Sequence, residues 1–131
     1  MGDTLVKTYG SAVFGIDATT ITVEVNLSTG VAFHLVGLPD SAVKESQQRI
    51  NAALRNTGFS FPGKKVVINM APADIRKEGS AYDLTLAVGI LAASGQIDAA
   101  QVEDYVIMGE LSLDGSLQPI KGALPIAIKA R

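Results

Sequence analysis

The stretch ITVEVNL, residues 21–27, alternates strictly between apolar and polar side chains. This period of two is typical of a β-strand that has one face in a hydrophobic core and the other in water. The alternation predicts four core side chains and three solvent-facing ones. The core set is Ile21, Val23, Val25 and Leu27, and the solvent set is Thr22, Glu24 and Asn26. The stretch therefore predicts an antiparallel sheet with one wet face.

Further strands are predicted on both sides of this stretch, because Val, Ile, Thr and Phe are frequent there and Gly10, Asp17 and a Ser-Thr-Gly turn separate them. The four predicted strands are residues 4–9, 12–16, 20–27 and 31–36. His34 lies in the last of them. Because it is the only histidine in the chain, no second imidazole is present to form a metal pair, and we interpret His34 as a sheet residue.

Capping residues and apolar spacing predict the remaining elements. Asp40 or Ser41 is a suitable N-cap for a first helix, whose apolar face repeats at helical spacing until Gly58. That face consists of Val43, Gln47, Ile50 and Leu54. The elements predicted after it are a strand at 65–70, a polar loop at 71–80, a buried helix at 83–94, strands at 105–111 and 116–119 joined by an Asp114-Gly115 turn, and a last helix with Pro125 in its first turn. This order predicts an α+β fold, a single domain of residues 1–131 in which helices pack on one side of a mixed sheet.

Composition excludes several classes of protein. Of the 131 residues 47% are apolar and 18% are charged, which is the balance of one globular domain and not of a disordered chain. The formal net charge of −2 gives no general attraction for nucleic acid, so such a contact needs a local basic patch. The absence of cysteine excludes disulfides, thiolate metal sites and a cysteine nucleophile.

The sequence gives no sign of a signal peptide or of a membrane span. The N-terminus has no continuous apolar core of the kind that signal peptides carry. The most apolar stretch, LTLAVGILAASG at residues 84–95, is shorter than the roughly 20 residues that span a membrane. We expect a cytoplasmic protein without a membrane partner.

The segment GFSFPGKK, residues 58–65, matches the phosphate-binding pattern GxxxxGK except at its final Ser or Thr, where Lys65 stands. A phosphate-binding loop needs a strand before it and a helix after it, because amide groups of that helix face the phosphates. Here the predicted order is reversed. We therefore interpret the segment as a turn into a strand with solvated lysines, and predict no nucleotide site in it.

Four stretches carry a resemblance to a known family. They are SAVFGIDATTITVEVN (11–26), VGLPDSAVKESQQRINAALRNTGF (36–59), MAPADIRKEGSAYDLTLAVGILAASG (70–95) and GELSLDGSLQPIKGALPIAIKAR (109–131). In this order they resemble the N-terminal region of the ComM/YifB family, which are magnesium-chelatase-like ATPases of the AAA type. The resemblance implies that an ATPase module holding ATP and Mg²⁺ follows this domain, and we expect the chain to end before that module.

The same resemblance implies a function. It implies a homo-hexameric full-length protein that serves DNA processing, as do helicases that promote branch migration in natural transformation. It also implies that this domain has no catalytic, cofactor-binding or metal residues of its own. The implied partners are the downstream ATPase module and, weakly for the isolated domain, DNA.

The last two stretches are also similar to the Lon peptidase domain and to the C-terminal domain of RadA proteins. This similarity implies a Lon-protease-like fold, also described as ribosomal-protein domain 2-like. Lon uses a Ser nucleophile whose proton is removed by a Lys. Aligning Lys77-Glu78-Gly79 with Lon puts Ala81 at the nucleophile position. Aligning Pro119-Ile120 puts Leu124 at the position of the Lys, and this favours a non-enzymatic interaction domain.

Two alternatives stay open. One is a divergent Ser–Lys peptidase that uses Ser80, one position before the aligned nucleophile, and Lys121, three positions before the aligned Lys. The other is a chelatase-type scaffold that couples ATP hydrolysis to another protein or to a metal-loaded substrate. The ATPase module that would separate this last reading from an interaction domain lies outside the sequence.

Four basic residues are candidates for contacts with DNA phosphates or with a neighbouring subunit. They are Lys64, Lys65, Arg76 and Lys77. The alternative is that residues 74–78 form an ordinary solvated loop of mixed charge beside a helix whose positive end Asp83 stabilises. Glu110 is interpreted as an edge-strand residue, because the sequence shows no facing carboxylate for acid–base chemistry.

Overall fold

A four-stranded sheet forms the centre of the molecule. The computed structural model describes residues 4–130. The strands of this sheet are β1 (Thr4–Phe14), β2 (Asp17–Ser28), β3 (Ala32–Val36) and β4 (Lys65–Ala71). Their spatial order is β1-β2-β4-β3. The sheet is mixed, because β1, β2 and β4 pair antiparallel while β3 runs parallel to β4.

Helices and a small hairpin complete the described chain. The helices are α1 (Ser41–Lys44), α2 (Ser46–Asn56), α3 (Asp83–Ala93) and α4 (Ala123–Ala130), and residues Val102–Asp104 form one turn of 3₁₀ helix. A two-stranded hairpin consists of β5 (Glu110–Leu111) and β6 (Leu117–Gln118). The predicted α+β class and mixed sheet are confirmed. Within residues 4–130, none of the helices is long and apolar enough to cross a membrane.

The predicted core face of β2 is confirmed. Ile21, Val23 and Val25 are fully buried, and Leu27 is nearly so. Val25 lies between Val6 of β1 and Ile68 of β4 in the sheet register. The alternating pattern therefore positions β2 with its apolar side chains in the core, against α3.

The predicted break of the first strand at Gly10 is wrong, since β1 is continuous from Thr4 to Phe14. The glycine serves close packing instead of a turn. A Cβ at Gly10 would lie 3.1 Å from Met108 Sδ and 3.3 Å from Tyr82 Cδ1. A side chain at this position would therefore push apart β1 and the N-terminal end of α3.

The prediction that all helices pack on one side of the sheet is also wrong. α3 lies on the core face, where a Cβ at Gly89 would be only 2.7 Å from Val25 Cγ2. α4 contacts β1 and β2 on the other face. Gly122, which precedes α4, lies against the side chain of Val13, and Val13 alternates with the core residue Ala12. The chain thus crosses the edge of β1 between α3 and α4.

The strand predicted at residues 105–111 is reduced to Glu110–Leu111. Backbone groups before it bond elsewhere: Ile107 N donates to Tyr9 O at 2.8 Å, and Gly109 N donates to Ala81 O at 2.7 Å. This segment therefore connects the edge of β1 to the start of α3. The predicted turn at Gly115 is confirmed by its φ of +91°.

Candidate functional site

A cleft of about 580 Å³ opens beside the edge of β1. Its lining comes from β1, from the loops that precede α1 and α3, and from the segments around β5 and α4. The lining includes Ser11, Val13, Ser80, Glu110, Lys121 and Ile126. We refer to it as the β1 cleft. It brings Ser80 and Lys121, the two residues of the peptidase alternative, to the same site.

The hydroxyl of Ser80 is bound to a carboxylate and not to a lysine. Ser80 Oγ donates a hydrogen bond to Glu110 Oε1 across the β1 cleft. Glu110 was expected to be only an edge-strand residue, and its pairing with Ser80 was not predicted. The arrangement places the half-buried carboxylate of Glu110 beside the serine hydroxyl at the wall of the cleft.

Asp40 positions the loop that carries Ser80. Its Oδ1 accepts from Val43 N at 2.8 Å, which confirms the predicted N-cap of α1. Its Oδ2 accepts from Gly79 N at 3.0 Å. One carboxylate therefore fixes both the beginning of α1 and the residue before Ser80. The sequence predicted the first of these roles and missed the second.

Lys77 is a structural residue, and its burial leaves no exposed ammonium for the predicted contact with DNA or a neighbouring subunit. Its side chain is fully buried. Its Nζ donates to Gly37 O at 2.7 Å and to Pro72 O. Burial lowers the pKa of Lys77, because the charged ammonium loses its hydration. The loop after β4 turns back so that Lys77 lies beside residues 38–40, with backbone bonds in both directions.

One signal in the sequence was available for this burial. Ile75 packs against the hydrophobic core, and Lys77 follows it at the spacing of two that places side chains on the same side of an extended segment. The charged neighbours Arg76 and Glu78 hid that pattern. Those two are exposed and form an ion pair, Nε to Oε1, at 3.2 Å.

The other basic candidates do not form one patch. Lys64 and Lys65 are exposed at the beginning of β4, and Arg76 is exposed beyond its end. The six residue steps of β4 alone separate these positions by about 20 Å, at the usual rise of a strand. A phosphate-binding surface that combines all four predicted residues is therefore not present.

Asp83 has a larger role than the predicted stabilisation of a helix end. Its carboxylate is fully buried and accepts from Arg49 Nε at 2.6 Å and from Arg49 Nη2 at 2.9 Å. Leu111 N donates to the same carboxylate at 3.0 Å. This hydrogen bonding to Asp83 raises the pKa of Arg49. The ion pair joins α2, α3 and β5 directly behind the β1 cleft.

The GK segment lies between α2 and β4, so the reversed context predicted from the sequence is confirmed. Gln96 holds the segment from the end of α3. Ser60 N donates to Gln96 Oε1 at 2.9 Å, and Gln96 Nε2 donates to Ser60 O at 2.8 Å. The residues described contain no group of three His, Cys, Asp or Glu side chains that can hold a metal ion.

Comparison with known proteins gives a consistent result. Residues 23–131 match the family model described as subunit ChlI of Mg-chelatase. The chain is 44% identical over 124 residues to "Competence protein ComM" of Haemophilus influenzae, covering 94% of this chain and 24% of that protein. It is 47% identical over 120 residues to YifB of Salmonella typhimurium, covering 91% and 24%. A Mycobacterium bovis protein, Mb2921c, is 38% identical over 126 residues, covering 95% and 25%. The chain thus spans about a quarter of the length of these relatives.

Proposed function

This chain belongs to the family of subunit ChlI of Mg-chelatase, and from that premise we propose that it is a non-catalytic domain of a larger, magnesium-chelatase-like AAA ATPase. ATP and Mg²⁺ are bound by the ATPase module of the longer protein, which works as a homo-hexamer. The domain itself has a Lon-like fold without the Lon chemistry. Its role is to bind a protein partner or a neighbouring subunit while the ATPase processes DNA.

The observation that supports the non-catalytic role is the pair of apolar residues at the two aligned dyad positions, with Ser80 Oγ bonded to Glu110 and not to Lys121. A serine nucleophile needs a base that takes its proton at the moment of attack, and Lon-like enzymes use a lysine for it. In this chain Ala81 stands at the aligned nucleophile position and Leu124 at the aligned lysine position. A well-formed cleft without Ser and Lys at the two positions aligned with Lon is suited to binding.

A protein partner is favoured over DNA as the main ligand of the domain. The β1 cleft is lined by three carboxylates, Asp40, Glu78 and Glu110, against the single ammonium of Lys121. Such a lining repels phosphates. The exposed cations Lys64 and Lys65 lie at the other end of β4 from the cleft loops. The name of one relative, "Competence protein ComM", supports a role in competence. We propose that the longer protein handles DNA in that role and that this domain supports it.

The test uses the full-length protein that contains this domain. Its ATP hydrolysis and its movement of a branched DNA junction are compared with those of a variant lacking residues 1–131. We expect the deletion to retain ATP hydrolysis and to lose most of the junction movement. Equal junction movement by both proteins contradicts a supporting role in DNA processing.

The peptidase alternative remains a second candidate, because the fold brings Ser80 and Lys121 to one cleft. It is tested by incubating casein with the wild-type chain and with the Ser80→Ala and Lys121→Ala variants. We expect casein to stay intact with all three. Cleavage by the wild type that disappears in both variants establishes the peptidase and removes the binding role.

A further inference from the structure

The edge of β1 is only partly covered. Tyr9 O accepts a hydrogen bond from Ile107 N, so the backbone groups of Tyr9 point away from β2. In an antiparallel pair every second residue points its backbone groups to the same side. Ser11 and Val13 therefore direct theirs to this edge as well. The covering segment has turned away toward α3 by Gly109, and the edge beyond it borders the β1 cleft.

Ser11 lacks good partners at this edge. Its amide N lies 3.4 Å from Met108 Sδ, and a thioether is a weak acceptor. Its side chain is buried, with 3% exposed, and in the described part of the chain nothing bonds to its Oγ. Buried polar groups in folded proteins are normally satisfied, and the unpaired Ser11 Oγ at the wall of the cleft is a group with which a bound ligand can pair.

The two sides of the cleft differ in chemistry. On the core side of β1, near the beginning of α3, lie Ser80 and the half-buried Glu110. On the other side lie the apolar side chains of Val13 and Ile126. A strand added to β1 would alternate its side chains between these two sides. Its polar positions would meet a carboxylate and its apolar positions would meet the α4 side.

We propose that the β1 cleft binds an extended peptide segment of a protein partner, which pairs with β1 at Ser11 and Val13 and places a lysine or arginine side chain beside Glu110. A peptide carbonyl replaces the Met108 thioether as the acceptor of the Ser11 amide. This inference rests on the proposed function, since it names the chemistry of the protein that the domain binds. Backbone pairing supplies affinity, and the alternation of basic and apolar side chains supplies specificity.

The probe is a fluorescein-labelled peptide of sequence Thr-Val-Lys-Val-Thr. Two matched peptides carry Glu in place of Lys, or N-methyl groups on alternate backbone nitrogens. Binding to the full chain is measured by fluorescence anisotropy, and the site by amide chemical shifts. We expect the lysine peptide to bind at least about tenfold tighter than the glutamate peptide, as a charge-assisted contact predicts, and the methylated peptide to lose binding. The largest shifts should occur at Ser11 and Val13.

Three variants localise the contact. Glu110→Gln should weaken binding of the lysine peptide about tenfold, while Glu45→Gln, an exposed carboxylate between α1 and α2, should leave it unchanged. Lys121→Glu removes the one ammonium of the cleft and should strengthen binding severalfold, a gain that misfolding cannot produce.

The proposal is overturned if the lysine and glutamate peptides bind equally, if the shifts map to the β3 edge, or if a 20-base-pair DNA duplex displaces the peptide from Ser11. If the peptide does not bind but junction movement by the full-length protein still requires residues 1–131, this inference alone is rejected. Peptide binding together with an unaffected deletion variant would reject the DNA-processing role alone.

Discussion

Arg49 of α2 donates two hydrogen bonds to the buried carboxylate of Asp83, the first residue of α3. The same arginine donates to Ala42 O at 2.7 Å, so its guanidinium also contacts the first turn of α1. Of the Arg49 side chain, 20% remains exposed. This pair holds together the two helices that support the β1 cleft from behind.

Replacing Asp83 by Ala should destabilise the fold by about 3 kcal/mol, at the lower end of what the loss of one member of a buried ion pair costs, because water reaches part of Arg49. Urea unfolding of wild type and variant measures the difference. The matched control is Glu45→Ala. Glu45 is a largely exposed partner of Arg49 at 3.6 Å, and its loss should cost less than about 1 kcal/mol. Equal unfolding midpoints for the Asp83 variant and wild type would refute the structural role.

Lys77→Met should also destabilise the fold at pH 7, by about 1–3 kcal/mol, because it leaves the carbonyls of Gly37 and Pro72 without a donor. The difference should grow at alkaline pH. The pKa of Lys77 is lowered in the folded state from the ordinary value of 10.5. At pH values between the folded and the ordinary pKa, the unfolded chain therefore binds more protons at this lysine than the folded chain does. Wild-type stability therefore rises with pH relative to Lys77→Met. Denaturant unfolding at pH 7 and pH 9.5 tests this, and a difference that shrinks with pH contradicts it.

Tyr82 should titrate above the ordinary range of a tyrosine. Its side chain is nearly fully buried, and burial, followed by the negative charges of Asp40 and Glu78, raises the pKa of Tyr82 to about 12. Ultraviolet absorbance of phenolate should show a step near that pH which Tyr82→Phe removes. Because the folded state disfavours the anion, this residue's contribution to stability is complete below pH 10 and is lost as the pH rises toward 12. Absence of a step near pH 12 that the Tyr82→Phe substitution removes would disprove the burial of Tyr82.

The GK segment should not bind nucleotide. The residues directly after Lys64 form β4 and not a helix. No helix amides therefore face a phosphate there. Titration calorimetry with Mg-ATP should give no heat of binding at millimolar nucleotide with wild type or with Lys64→Ala. A micromolar dissociation constant that Lys64→Ala abolishes would establish a site.

Local patterns predicted the elements whose residues depend mainly on neighbours in sequence. The alternation at residues 21–27 gave the buried face of β2, and the Asp40 side chain gave the beginning of α1. Positions whose conformation depends on distant contacts were misread. Gly10 was wrongly predicted to break a strand. The contact that explains this glycine is with Met108, almost a hundred residues away in the chain, and local patterns do not show it.

The candidate site was predictable in part. Ser80 and Lys121 were singled out by resemblance, and both line the β1 cleft. Glu110 and Ser11 were missed as site residues, since only the tertiary structure brings them to the same cleft as Ser80. The burial of Lys77 was misjudged for the same reason: its partners are backbone oxygens, and side-chain chemistry alone does not reveal them.

The order β1-β2-β4-β3 has a consequence for how the chain folds. β1 and β2 are joined by a tight turn, and their pairing is local, so this hairpin can form as soon as residue 28 has been synthesised. β4 pairs with β2 on one side and with β3 on the other, and it follows both in the chain. Until residue 71 has left the ribosome, β2 has an open edge on the side opposite its hairpin partner β1. During synthesis, that edge is open to mispairing with another chain.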